Sequence, residues 1–175
     1  MEKFALQAFI YEIQHQCKFS DLAFQDIVNA LHESSTDRVF FAAHSLLVAV
    51  GNISKLLWPT MESCKDRGRE LRDLLQVSDA SILKFRTFRN HFEHFDERLE
   101  EWANSSKRKN FADSNIGPPG FVSGLDPEDW MRNLDPTTLT LTFHGDNYSI
   151  SEIMEALKPI CTAAQRAGHD LFYSR

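Results

Sequence analysis

Several features are scarce in this sequence, and each scarcity excludes something. Cysteine occurs three times, at Cys17, Cys64 and Cys161, an odd number with no CxxC pair. That argues against a dense disulfide framework or a zinc ribbon, and it predicts reduced thiols in a cytoplasmic chain. The seven glycines form no phosphate-cradling loop. Positive charge is in the minority, with 19 Lys and Arg against 25 Asp and Glu, for a net charge of -6. Bulk attraction to nucleic acid is therefore excluded, and an anionic ligand needs a local positive site. The opening residues have no continuous apolar run, so no signal peptide is expected, and no membrane-spanning segment is expected elsewhere. No internal repeat occurs. A length of 175 residues suits one domain spanning residues 1–175.

What the chain has in abundance is phenylalanine, fourteen in all. Six aromatic or leucine positions, Phe85, Phe88, Phe92, Phe95, Leu99 and Trp102, recur at alternating spacings of three and four. That spacing predicts one amphipathic helix over residues 78–104, capped by Ser78 or Asp79. Its other face carries Arg86, Arg89, Asn90, His91, Glu93, His94, Glu97 and Arg98. A solvated helix face normally favours Lys, Glu and Ala, so this is where chemistry is expected.

The remaining chain reads as helices around that segment. Residues 3–32 predict a long helix, with a bend near Lys18 to Ser20. Residues 37–57 predict a helix apolar on most sides, suited to a bundle centre, with His44 and Asn52 as polar exceptions. Either can face the polar side of the 78–104 helix or serve within the core. A short helix over residues 66–76 carries Arg67, Arg69 and Arg72, which read as a solvated face or as phosphate contacts. Residues 105–136 form an irregular loop, either a mobile flap or an excursion pinned by Phe121, Trp130 and Leu134. Pro127 to Asn133 suits one or two helical turns. Residues 137–150 predict a small hairpin turning at Gly145-Asp146-Asn147. A last helix runs from a Ser149/Glu152 capping box to about Phe172, with a kink or break at Pro159. The expected fold class is all-α, a helical bundle with a small β-hairpin appended before the last helix.

The order Arg89, Asn90, then His94 resembles the RxxxxH motif of the HEPN superfamily, the higher eukaryotes and prokaryotes nucleotide-binding domains. The string from Phe92 to Leu99 also resembles an uncharacterised bacterial branch of that superfamily. The resemblance implies a HEPN-like helical bundle, commonly dimeric. It also implies a metal-independent endoribonuclease of the kind found in toxin–antitoxin, antiviral or stress systems, with an antitoxin or regulatory protein as a further partner. No cofactor and no metal are implied.

The residue types suit that reaction. Cleavage by transesterification needs a base for the 2′-hydroxyl, an acid for the leaving 5′-oxygen, and positive charge at phosphorus. A histidine side chain can take either proton role, and arginine forks onto phosphate oxygens. The expected site is Arg89 on the phosphate, His94 as acid or base and Asn90 orienting the imidazole, with Glu93 and Arg86 in support. On one ideal helix Arg89 and His94 point about 140° apart. They can converge through long side chains, a local distortion, or a second copy of the helix across a two-fold interface. With the resemblance, a homodimer joined on the His94 face and acting on RNA is expected. A zinc or iron site from His91, His94, Glu93, Asp96, Glu97 and His44 is the competing chemistry. The alternative function is a catalytically silent module that binds a nucleotide or a protein partner.

Overall fold

The computed structural model describes residues 2–84, 94–118, 120–126 and 129–173. Among these, α1 spans Lys3–His32, α2 Thr36–Leu57, α3 Lys65–Leu75, α4 Phe95–Ser105 and α5 Ile150–Tyr173. Four short strands lie between α4 and α5: β1 Asn115–Ile116, β2 Arg132–Asp135, β3 Thr140–Phe143 and β4 Asp146–Ser149.

Helices α1 and α2 form the scaffold. Their inner faces bury Ile10, Ile13 and Ile27 against Leu46, Leu47, Val50 and Ile53, all essentially inaccessible. Burying each such side chain contributes about 1.5–3 kcal/mol. The apolar composition of α2 is what a core helix requires. The same composition makes Thr36–Leu57 long and apolar enough to cross a membrane, contrary to the sequence reading, although most of it is buried inside the protein. Helix α1 runs unbroken through Lys18 to Ser20, where a bend was expected. Ser20 Oγ there donates to the carbonyl of Gln16, 2.8 Å away, and so stays within the helix.

Helix α5 packs antiparallel to α1. Gln7 Nε2 donates to the Leu171 carbonyl (3.0 Å), and Gln14 Nε2 to the Ala164 carbonyl (2.8 Å). In the same descending register, Cys17 is joined to Cys161 by a disulfide, with Cα atoms 5.7 Å apart. The expectation of three reduced thiols is corrected: only Cys64 is free. An odd count and a lack of close spacing say nothing about two cysteines 144 residues apart. The Ser149 cap is present, its Oγ accepting from the Glu152 backbone N–H (3.2 Å). The helix continues through Pro159, so of the expected kink or break the break is absent.

The all-α expectation is overturned by the sheet. All four strands join in the order β1-β2-β3-β4, with β1 parallel to β2 and the other pairs antiparallel. Two strands therefore come from the segment expected to be an irregular loop. Leu134 and Leu141 are register partners and face the helical core, whereas Asn133 and Thr142 pair on the opposite face. The expected strand at Thr137 is instead an Asx turn. The Asp135 carboxylate accepts from the Thr137 N–H (2.8 Å) and the Thr138 hydroxyl (3.0 Å). The first of these bonds, with the hydroxyl's help, holds its pKa below the usual carboxylate range. The hairpin turns one step earlier than expected, at His144-Gly145, both with positive φ. Two such residues make the tight turn that matches strand twist.

Residues 105–135 are a pinned excursion. Asp129, 2% exposed, accepts from the Asp126 N–H (2.9 Å), Ser106 Oγ (3.1 Å) and Asn110 Nδ2 (3.4 Å). The Asp126 N–H, aided by those side chains, holds the carboxyl below its ordinary range, so the clamp lasts until pH falls through that lowered value. Trp102 Nε1 donates to the Asn110 carbonyl (2.7 Å), and Arg132 grips Asp113 with two donors. The expected helical turns at Pro127 to Asn133 are replaced from Trp130 onward by a bridge to Ala112 and by β2, while residues 127–128 lie outside the described residues.

Candidate functional site

The single helix expected over residues 78–104 is not continuous. Ser78 to Ser81 form a turn, Ile82–Lys84 a 3-10 turn, and α4 begins only at Phe95. Arg86, Arg89, Asn90, His91 and Glu93 lie outside the described residues, so His94 alone of the expected catalytic set is placed. It stands at the N-cap of α4 with φ -114° and ψ 44°, a non-helical backbone. The angular argument from one ideal helix therefore does not extend through it. Its side chain is half exposed, and its Nδ1 lies 3.3 Å from Glu97 Oε1. Glu97 thus stands beside one nitrogen of the imidazole, the positioning role that the sequence suggests for Asn90. A carboxylate three residues on is readable as a helix neighbour, but the cap geometry is not.

The aromatic stripe continues along α4 at the expected positions, half-buried. Phe95 meets Phe143 edge-on at 6.0 Å between centroids, with the Arg132 guanidinium 5.1 Å from the Phe95 ring. Trp102 meets Phe111 at 4.8 Å. The outer face of α4 is acidic: Glu97, Glu100 and Glu101 line a shallow recess with His144. Of the competing metal set, His91 and Glu93 lie outside the described residues. His44 is exposed on α2, and Asn52 donates to Gln16 Oε1 on α1 (3.3 Å), a structural bond.

The positive site that the acidic chain needs lies immediately before the Arg-Asn-x-x-x-His segment. Lys65, Arg69 and Arg72 recur at spacings of four and three, which sets them on one face of α3. Lys84 approaches from the 3-10 turn. Together with Trp58, Pro59, Thr60 and Asp79 they enclose an open cleft of about 640 Å³. Gly68 makes this arrangement possible. A Cβ there would stand 2.4 Å from the Pro59 ring and 2.8 Å from the Leu57 carbonyl, so only glycine lets α3 lie against the end of α2.

Asp79 is the hub of the cleft. Trp58 Nε1 donates to its Oδ1 (2.9 Å), Arg72 Nε lies 3.2 Å away and Lys84 Nζ 3.7 Å. The indole bond, helped by the two cations, holds this carboxyl below its ordinary range. Arg72 also donates to the Leu57 carbonyl and sits 5.9 Å from the Trp58 ring centroid. Among the described residues, Lys65 and Arg69 pair with the exposed Glu62 (2.5 Å) and Asp66 (2.7 Å). Exposed helix pairs of this kind contribute well under about 1 kcal/mol, so a phosphate can displace them. Arg67 belongs elsewhere: its guanidinium stacks over Phe9 at 4.9 Å. Lys107, Arg108 and Lys109 are exposed on the 105–135 excursion.

No family model, curated protein or solved structure matches this chain. The functional reading therefore rests on the residues themselves. Four cations around one cleft can hold phosphate oxygens, and the Arg-Asn-x-x-x-His segment follows Lys84 closely in the chain.

Proposed function

We propose that the protein is an RNA-binding, metal-independent endoribonuclease that cleaves through Arg89 and His94. The observation that carries this is the convergence of Lys65, Arg69, Arg72 and Lys84 on one Trp58-floored cleft in a protein of net charge -6. The similarity of Arg89, Asn90 and His94 to the HEPN motif supplies the chemistry. The 2′-oxygen attacks phosphorus, the P–O5′ bond breaks, one imidazole accepts the 2′-hydroxyl proton and a second donates to the 5′-oxygen. Arg89 offsets the charge on the phosphoryl oxygens. Both imidazoles are His94, one from each copy, so the active unit is a homodimer joined on its His94 face. Light scattering at tens of micromolar should report a dimer; a monomer there means weak association at best and counts against the unit.

The cleft makes a separate prediction. Replacing Lys65, Arg69 and Lys84 with Gln should weaken single-stranded RNA binding and flatten its salt dependence, the slope falling by about 0.7 for each phosphate no longer neutralised. Arg72 is left in place because it also supports Leu57 and Asp79. An unchanged affinity and slope would remove the cleft from the account.

A second reading is favoured by one observation, the acidic face of α4 beside His94. Glu97, Glu100 and Glu101 repel phosphate and suit a basic protein partner. Under that reading the protein is a silent module that binds a nucleotide in the cationic cleft and a regulatory partner on α4.

A further inference from the structure

The face of the sheet turned away from the helical core carries a second, chemically different recess. Leu125, Trp130, Asn133, Thr142, Gly145 and Asn147 line a space of about 300 Å³. No charged side chain lines it among the described residues, which sets it apart from the cationic cleft. Asn133 is 4% exposed and sits at the centre of the sheet on β2. Its Nδ2 donates to the Gly117 carbonyl, 3.1 Å away. A carbonyl accepts only from a donor, so the nitrogen must face Gly117 and the amide oxygen must face away from it. That Oδ1 is buried and has no hydrogen-bond partner among the described residues.

An acceptor buried without a donor is costly, and native proteins seldom keep one without a reason. The neighbouring polar groups do not relieve it. Thr142 Oγ1 already donates to Asn147 Oδ1 (2.7 Å). Asn115, the register partner of Asn133 on β1, has a buried Nδ2 that is also without a partner, and the two amides do not meet. Trp130 provides an aromatic wall, propped by Phe121 at 5.6 Å between ring centroids. Gly145 has open space where a Cβ would stand, so the turn does not crowd the mouth.

We propose that this recess binds a nucleobase, stacked on Trp130 and donating a ring or exocyclic N–H to Asn133 Oδ1. The absence of charge disfavours an ionic ligand. A sugar would need many donors and acceptors free to pair, whereas here Thr142 Oγ1 and Asn147 Oδ1 are bonded to each other and Asn133 Oδ1 is the buried acceptor left without a partner among the described residues. A flat, neutral ring with an N–H edge meets both conditions, and stacking on an aromatic side chain is how single-stranded bases are held. The base can come from a free nucleoside or from an RNA strand. The site does not depend on cleavage, since Arg89 and His94 are not among its lining residues.

The test is an NMR titration of the full chain with adenosine, cytidine and uridine to about 5 mM, a range that captures millimolar affinity, with a short single-stranded RNA as a second arm. At least one nucleoside should shift the backbone amides of Thr142, Gly145 and Asn147 saturably. Asn133→Leu, which removes the acceptor at similar volume, should weaken binding at least about tenfold. Thr142→Trp should fill the recess and abolish binding while leaving Asn133 in place, which keeps the test valid if Asn133→Leu does not fold. Tighter binding of the RNA at the same amides assigns the base to a strand, and equal or weaker binding assigns it to a free nucleoside. No shift with any nucleoside, or Thr142→Trp binding like wild type, overturns the proposal.

Discussion

Replacing His94 with Ala is expected to slow RNA cleavage by at least about 10²–10⁴-fold, the contribution of one positioned proton-transfer group, because the substitution removes the imidazole from both copies. Arg89→Ala is expected to cost about 10²–10³-fold, the contribution of one group that stabilises transition-state charge. Both variants should remain folded. His94 is a half-exposed cap residue whose neighbour Glu97 is itself exposed, and Arg89 is not one of the aromatic stripe positions in the sequence. His91→Ala should be much milder, because it stands outside the Arg-Asn-x-x-x-His order. Glu97→Ala should fall between wild type and His94→Ala, and should alter the pH profile, because Glu97 acts through the imidazole. EDTA should leave the wild-type rate unchanged, whereas a His91–His94–carboxylate metal site would lose activity to the chelator. The assay is a labelled RNA pool incubated with each variant. Wild-type rates from His94→Ala would end the nuclease reading and leave the binding-module reading as the better account.

Reduction of the Cys17–Cys161 bond is expected to destabilise the fold by about 2–4 kcal/mol. The bond closes a loop of 144 residues between the first and last helices, so its loss frees nearly the whole unfolded chain. For a domain of this size that corresponds to a fall in melting temperature of roughly 5–15 °C. Cys161→Ser should reproduce the loss without reductant, and reductant should have no further effect on that variant. Cys64→Ser should melt like wild type in both conditions, because Cys64 takes no part in the bond. Three alkylatable thiols in unreduced, denatured protein would show that the bond does not form.

The contrast between the cysteines and the helices shows what a sequence can and cannot convey. Helices α1, α2, α3 and α5 are legible because each carries its own stripe of apolar residues at helical spacing. The burial of Ile13, Ile27, Leu46 and Val50 agrees with it. The β3–β4 hairpin is legible in the alternation of Leu139, Leu141 and Phe143, but the rest of the sheet is not. Strand β1 has two residues, too few for any alternation, and β2 buries Asn133 and Asp135 alongside Leu134, which hides the polar and apolar pattern of a strand. Its stability comes from partners far away in sequence, such as Asp113 for Arg132 and the hairpin for Leu134.

The 78–104 stretch shows the opposite error. Its aromatic spacing is real, and Phe95, Leu99 and Trp102 are partly buried along one side of α4. Spacing alone does not reveal that α4 begins at Phe95 with His94 as its N-cap. The cationic cleft is half legible. Arg69 and Arg72 stand out as a basic run, but Lys84, Asp79 and Trp58 join them only through the packing of α3 on the end of α2, which Gly68 permits.

The central claim, that Arg89 and His94 cut RNA by attack of the 2′-hydroxyl, is tested most directly by the chemistry of the product ends. A 5′-labelled and a 3′-labelled RNA, each incubated with the wild-type protein in EDTA, should yield fragments ending in a 2′,3′-cyclic phosphate and beginning with a 5′-hydroxyl. Fragments beginning with a 5′-phosphate, or an uncut RNA at protein concentrations that bind it, would contradict the account.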